Sequence, residues 1–184
     1  MSGGAAAPAD RAGASQDGAF IALDNVSIAY GGEKGVLALT DTSLTIRRGE
    51  FVAVVGPSGC GKSSMLKLVS GLHPALRGTV TVDNQRVTGP LKICGMAFQN
   101  STLLPWRTTM DNVLLPLEIV EPHASRFRSH HEEYRARARE LIATVGLDGF
   151  EDTYPWQLSG GMQQRSSLCR ALIHDPDILL MDEP

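Results

Sequence analysis

The stretch GPSGCGKSS at positions 56–64 fits the spacing G-x-x-x-x-G-K-[ST]. Gly56, Gly59 and Gly61 let the backbone bend and approach an anion with no Cβ in the way. Successive N–H groups then point inward at phosphate oxygens, and a helix opening near Lys62 adds its positive dipole end. Pro57, Ser58 and Cys60 complete the loop, so all of residues 56–64 are candidate nucleotide contacts. Lys62 neutralises charge on β- and γ-phosphates, Ser63 offers a hydroxyl to Mg²⁺, and Ser64 can donate to an α-phosphate. Far along the chain, DILLMDEP closes an aliphatic run with two acids. A phosphate-bound Mg²⁺ needs further oxygen ligands, and Asp182 sits where a core strand would deliver one. Glu183 alternates to the other side of the strand direction. There it can orient or deprotonate the water that attacks a γ-phosphate, a general-base role worth about 10²–10⁴-fold.

A second glycine motif, LSGGMQQR, occupies positions 158–165. Ser159 suits an N-cap, and the glycines again expose backbone N–H groups at a helix start. Either one chain binds two anionic ligands, or two copies each give one face to the same nucleotide. A head-to-tail arrangement within a C₂ dimer achieves the second. An ordinary capped helix is the plain alternative.

These motifs need elements to position them. FIALDNVSIAY and LALTDTSLTIRRGE read as strands, with Gly31-Gly32 as a turn between them. FVAVV, at 51–55, has no polar face and reads as a strand buried on both sides in a parallel sheet. GKSSMLKLVSGL carries apolar residues at helical spacing and stops at Gly71. GTVTVDNQRV reads as a hairpin turning at Asp83-Asn84, and KICGMAFQN as a short core strand. After Gln99 the pattern turns helical. TMDNVLLPLEIV, an Arg- and Glu-rich helix spanning Arg126 to Arg139 and GMQQRSSLCRALI precede DILLMDE, which returns to a buried strand. Residues 1–18, rich in Gly, Ala, Ser and Asp, read as a disordered leader.

Composition removes several classes. The net charge is −3, so a whole-protein basic field for nucleic acid is absent. The N-terminus lacks the basic-then-apolar pattern of a secretory signal. No stretch approaches the about 18 apolar residues of a membrane span. Three cysteines, Cys60, Cys94 and Cys169, lie far apart without metal-ligand spacing, which suits a reducing compartment. His130 and His131 point apart on a helix and read as surface.

Taken in order, these residues resemble the ATP-binding subunits of ABC transporters. The resemblance covers Phe20 to Pro184 and rests on the Walker A loop Gly56 to Ser63, the Q-loop Gln99, the signature Leu158 to Gln163, and the Walker B strand Ile178 to Asp182 followed by Glu183. It implies an α/β P-loop fold with a mostly parallel sheet, an N-terminal antiparallel β subdomain and a helical subdomain at about 101–174, all within a domain spanning 19–184. It implies ATP and Mg²⁺ as cofactors. Tyr30 falls where the family stacks an aromatic on adenine. Gln99 would contact Mg²⁺ and water and join the core to the helical block, alongside Lys62 and Glu183 as catalytic groups. Ser63, Gln99 and Asp182 would serve the metal. Ser159, Gly160, Gly161 and Gln163 would act on the ATP of a partner copy.

The implied assembly is a head-to-tail homodimer on transmembrane permease subunits, indirectly served by a solute-binding protein, at the cytoplasmic face of the plasma (inner) membrane, with no nucleic acid. The segment FQNSTLLPWRTTMDNVLLPLEI resembles the nitrate, sulfonate and taurine import ATPases, and its Leu103, Leu104 and Trp106 read as an apolar knob suited to a partner helix or, more plainly, to packing in its own helical block. Met162 stands where many members have Gln, and Ser64 where Thr is commoner; Ser166, Ser167 and Cys169 make the signature helix more polar than usual. The family continues past Pro184 with an acidic loop, another core strand and a histidine on the γ-phosphate. The chain therefore reads as an N-terminal part of such a domain. The alternatives are a soluble ABC-type ATPase, a non-hydrolysing nucleotide-binding fragment and a small-molecule P-loop kinase, the last of which has no use for the signature.

Overall fold

The computed structural model describes residues 18–31 and 35–182. Glu183, Gly32 of the expected turn and residues 1–17 of the expected leader at 1–18 lie outside them. Strands β1 (Ala19–Tyr30) and β2 (Val36–Arg47) pair antiparallel, and β3 (Arg77–Val82) joins the other edge of β1. A two-residue strand β4 (Gln85–Arg86) completes the sheet order β2-β1-β3-β4. The β3–β4 connection is the expected two-residue turn. Asp83 and Asn84 sit at φ 48° and 60°, the left-handed pair that matches strand twist in a tight hairpin. In β1 the polar Asp24-Asn25 pair interrupts two buried runs. The register shifts there, and Asn25 takes φ 49°. A bulge of this kind lets β1 bury apolar residues on both sides of the break.

Helix α1 (Lys62–Val69) packs under this sheet, burying Leu68 and Val69 against Phe20, Ile21, Leu23, Val26, Ile28, Val80 and Val82. Gly71 ends it at φ 74°, where a side chain would meet Val87 at 2.9 Å and the Gly89 backbone. Strands β5 (Cys94–Ala97) and β6 (Ile178–Met181) pair in parallel, from Cys94↔Ile178 to Ala97↔Met181. Parallel strands need a long crossover. Here it is a helical block: α2 (Thr109–Ile119), the short α3 (His123–Arg126), α4 (His131–Thr144) and α5 (Gly160–Leu172). The block holds its own apolar cluster, built on Met110, Val113, Leu117, Ile142, Leu147 and Ile173. Helix α4 contributes Tyr134, Ala138 and Ile142, one every four residues, and leaves its Arg and Glu residues outward. The single Arg-rich helix expected from Arg126 onward is instead two pieces, broken between α3 and α4 by the turn at 127–130.

The expected strand at 51–55 is absent as well. Residues 51–55 (FVAVV) form no strand, and no strand pairs with them among the described residues. Phe51 is 86% and Val55 93% exposed. The segment faces β6 across a cavity of about 610 Å³ lined by residues 49–54, 179–182, Lys62 and Leu66. Apolar composition sets a preference for burial, but a strand exists only where a neighbouring backbone takes its N–H and C=O groups. The parallel sheet of the described residues is the β5–β6 pair alone, and the larger sheet is antiparallel.

Candidate functional site

Two local features aim the loop at 56–61. Gly61 caps α1 in the left-handed conformation at φ 100°, and a Cβ there would lie 2.5 Å from the Ala38 carbonyl and 2.7 Å from Leu39. Only glycine lets the loop lie this close to β2. Gly59, at φ 80°, faces open space, and all of residues 56–60 are exposed. The first turn of α1 carries no acid of its own, which leaves its positive dipole end open to anions brought by other segments. The Lys62 ammonium folds across the loop and donates to the carbonyls of Gly56 (3.0 Å) and Pro57 (2.9 Å).

The loop meets the end of β6 directly. The Ser63 hydroxyl donates to Asp182 Oδ1 at 2.8 Å, although 119 residues separate them in sequence. The Asp182 N–H bonds the Ala97 carbonyl at 3.0 Å, extending the parallel ladder and fixing the carboxylate beside the end of β5. Gln99 follows two residues beyond that end and is exposed. A hydroxyl and a carboxylate at this spacing are hard oxygen donors of the kind Mg²⁺ takes, so the pair fits the ion expected there.

Ser64 differs from Ser63. It is buried, and its hydroxyl lies 3.2 Å from the Tyr30 hydroxyl. Tyr30, at the end of β1, is 37% exposed. The His73 ring meets it edge-on at 4.9 Å, and Lys67 Nζ lies 5.6 Å from its centroid. The expected adenine-stacking residue is thus anchored to α1 with part of its ring open. His73 carried no sequence signal; only the fold brings it to Tyr30.

The second glycine motif opens α5 as expected. Ser159 is the N-cap, its Oγ accepting from Met162 N at 3.4 Å, and Gly160 and Gly161 are exposed with open space where a Cβ would stand. Helix α5 packs on α2, α4 and β5, whereas the phosphate loop is carried by α1 beside β2 and β3. Within this chain the two motifs therefore belong to different packing units. Gln163, expected to act on a partner copy's nucleotide, is bonded within this chain. Its Oε1 accepts from Ser101 Oγ at 3.0 Å, and its Nε2 donates to the carbonyls of Pro155 (2.8 Å) and Leu158 (3.3 Å). An amide so occupied is a strut within the chain.

Sequence reasoning also missed how the segment after Gln99 is held. Arg170 donates to the Ser101 carbonyl (2.9 Å), the Thr102 carbonyl (3.0 Å) and Thr102 Oγ1 (2.9 Å). Burial pushes the Arg170 guanidinium down from its ordinary value. Asn112, fully buried, takes the Leu104 N–H at 2.7 Å and donates to the carbonyls of Leu104, Arg107 and Thr108. Arg107 and Glu118 form a two-bond ion pair at 2.7 and 3.0 Å. These bonds fix the Leu-Pro-Trp loop with Trp106 70% exposed, while Leu103 and Leu104 turn partly inward.

A family model described as ABC transporter matches residues 39–184. The chain is 44% identical over 160 residues to the taurine import ATP-binding protein TauB of Yersinia pestis, covering 87% of this chain and 60% of that one. It is 37% identical over 165 residues to the aliphatic sulfonates import ATP-binding protein SsuB of Bacillus cereus, covering 89% and 62%. An uncharacterized ABC transporter ATP-binding protein of Methanocaldococcus jannaschii is 45% identical over 150 residues, 81% of this chain and 53% of that protein. The chain thus spans between 53% and 62% of the length of these curated relatives. Among solved structures, a dimeric ATP-binding cassette in a post-hydrolysis state with ADP and phosphate superposes with a TM-score of 0.80 at 38% identity, covering 89% of this chain and 74% of that one.

Proposed function

This chain belongs to the ABC transporter family, and we propose that it is the ATP-binding part of an importer's energising subunit, with ATP hydrolysis coupled to uptake of a small sulfonate-, taurine- or nitrate-like solute. The observation that carries the reading is the 2.8 Å bond from Ser63 to Asp182, which unites the phosphate loop with the end of the core strand. The names of the taurine and sulfonate relatives support the solute class, and the exposed Trp106 suits contact with a partner.

In this reading Gly56, Pro57, Ser58, Gly59, Cys60 and Gly61 wrap the phosphates with backbone groups. Lys62 exchanges its two loop carbonyls for β- and γ-phosphate oxygens. Ser64 borders the α-phosphate, and Tyr30 offers its open face to adenine. Ser63, Asp182 and Gln99 would hold Mg²⁺, which supplies charge neutralisation at the phosphates. Glu183 takes the proton of the attacking water, with Gln99 orienting that water. Ser159, Gly160 and Gly161 complete the nucleotide site of a second copy in a head-to-tail dimer, an arrangement supported by the dimeric cassettes among the structural neighbours. The Trp106 loop docks on a permease at the cytoplasmic face of the membrane. No helix among the described residues is long and apolar enough to cross a membrane, in keeping with a peripheral subunit.

The test pairs binding with turnover. The protein should bind MgATP and, assembled with its permease, release phosphate. Glu183→Gln should keep binding and lose turnover. Turnover at the unsubstituted rate by that variant removes Glu183 from the chemistry, and binding without turnover by the unsubstituted assembly leaves a nucleotide-binding module.

A further inference from the structure

Tyr30 is anchored at its hydroxyl by Ser64 (3.2 Å), and part of its ring is open. Stacking on such a ring does not choose between purines, because every base has a π-face. A choice needs a polar group at the edge of the stack, and His73 is placed to supply it. Its ring lies against Tyr30 with centroids 4.9 Å apart and planes at 66°. The backbone fixes it from both sides. Gly71 turns the chain out of α1 at φ 74°, and the His73 N–H donates to the Lys67 carbonyl at 3.1 Å. Just beyond, the Leu76 N–H donates to the Ser27 carbonyl at 2.8 Å, on the strand that carries Tyr30.

The contacts of the His73 ring assign its tautomer. Nδ1 lies 2.9 Å from the Pro74 carbonyl, which can only accept, so Nδ1 carries the hydrogen. The neutral ring then presents Nε2 as an acceptor, and no side chain or backbone group takes it among the described residues. The other polar group over this ring, Lys67 Nζ at 5.6 Å from the Tyr30 centroid, carries donors only. Adenine and guanine differ at position 6, where the adenine amino group donates and the guanine oxygen accepts.

We propose that His73 reads position 6 of the purine, so that this chain prefers ATP to GTP. Nε2 accepts from the adenine amino group, and against guanine it meets an oxygen lone pair with its own. The inference rests on the nucleotide-binding reading above and adds a specificity-determining residue to it. Tyr30 supplies the stacking surface and His73 the choice of base.

Three nucleotides test it: MgATP, MgGTP and the magnesium complex of the ATP analogue whose purine lacks the 6-amino group. Each is titrated calorimetrically into the full chain at about pH 8, above the ordinary imidazole range. The unsubstituted protein should bind MgATP at least about threefold more tightly than either of the others, the size of one modest net hydrogen bond. His73→Phe keeps an aromatic ring against Tyr30 and removes both nitrogens. It should weaken MgATP by the same factor, leave the analogue within about twofold, and bring MgATP and MgGTP close to equal affinity. Absence of a preference for MgATP over the analogue in the unsubstituted protein overturns the inference, and this arm needs no variant. So does a His73→Phe protein that still prefers MgATP. A parallel loss for all three nucleotides in that variant makes His73 a brace of Tyr30 and likewise overturns base reading. Failure of the unsubstituted protein to bind any of the three overturns the proposed function, and this inference with it.

Discussion

Lys62 and Cys60 lie in one loop but make different demands on it. The Lys62 ammonium is held by two backbone carbonyls, a weak counterpart for a full charge, and phosphate oxygens are the better partner. Lys62→Ala removes that partner. At about 1.5–3 kcal/mol per charge-assisted bond, MgATP affinity should fall at least about tenfold; calorimetric titration checks it, and retained affinity would move the phosphate site. Cys60 is exposed, whereas burial pushes the thiols of Cys94 and Cys169 up to about 11. A thiol reacts as its thiolate. Brief alkylation of the native protein near pH 8 should therefore mark Cys60 alone, and MgATP should slow it; peptide mapping by mass spectrometry reads both outcomes. The proposed loop roles at this scale follow from residue type and spacing, since glycine freedom and a following lysine suit an anion cradle before any fold is known. The Tyr30–His73 contact does not follow, because a long stretch of chain and a sheet pairing lie between them.

Elements explain why the cradle is aimed and why one segment is not where its composition suggests. Asn112 lies on α2 at i+4 from Thr108, an ordinary helix position in sequence. In the structure it is fully buried and serves four backbone groups of the loop at 104–108. Asn112→Leu should take the side-chain partner from the Leu104 N–H and the Arg107 carbonyl, at about 1–3 kcal/mol for each that stays unsatisfied, while the Leu104 and Thr108 carbonyls keep the N–H groups of Arg107 and residue 112. We expect a urea midpoint clearly below that of the parent protein, with faster proteolysis around Trp106. An unchanged midpoint would mean that water replaces the amide. The hairpin at Asp83-Asn84, the stop at Gly71 and the cap at Ser159 were legible because turn and cap chemistry is local. FVAVV was not. A wholly apolar run announces burial, yet whether it forms a strand depends on neighbours remote in sequence.

At the scale of the molecule, the helical block folds back on the β5–β6 pair, and His174 is sealed where α5 gives way to β6. It is 9% exposed, and neither ring nitrogen has a hydrogen-bond partner. Burial pushes it below its ordinary value, and the Arg137 charge adds to this, while Asp175 opposes it. A lowered folded value means that the unfolded chain binds the proton more readily. The stabilisation is thus complete above the usual histidine range near ~6.5 and is lost as pH falls through the folded value. Denaturant midpoints from pH 7.5 down to 5 should decline more steeply for the parent than for His174→Phe. Parallel slopes would assign the acid sensitivity to other groups.

The sequence by itself determined the chemistry on offer: a glycine-lysine-serine cradle, a carboxylate at a strand end and a second capped glycine motif, each written in consecutive residues whose backbone freedom and charge do not depend on distant packing. It also determined most elements, because turns, caps and apolar spacing act over a few residues. The tertiary structure alone decided what those groups face. It brought Ser63 to Asp182, turned Gln163 onto Ser101, set Arg170 against Thr102 and left residues 51–55 beside a cavity. Each of these depends on how far the chain travels before two elements pack, and local spacing carries no record of that distance.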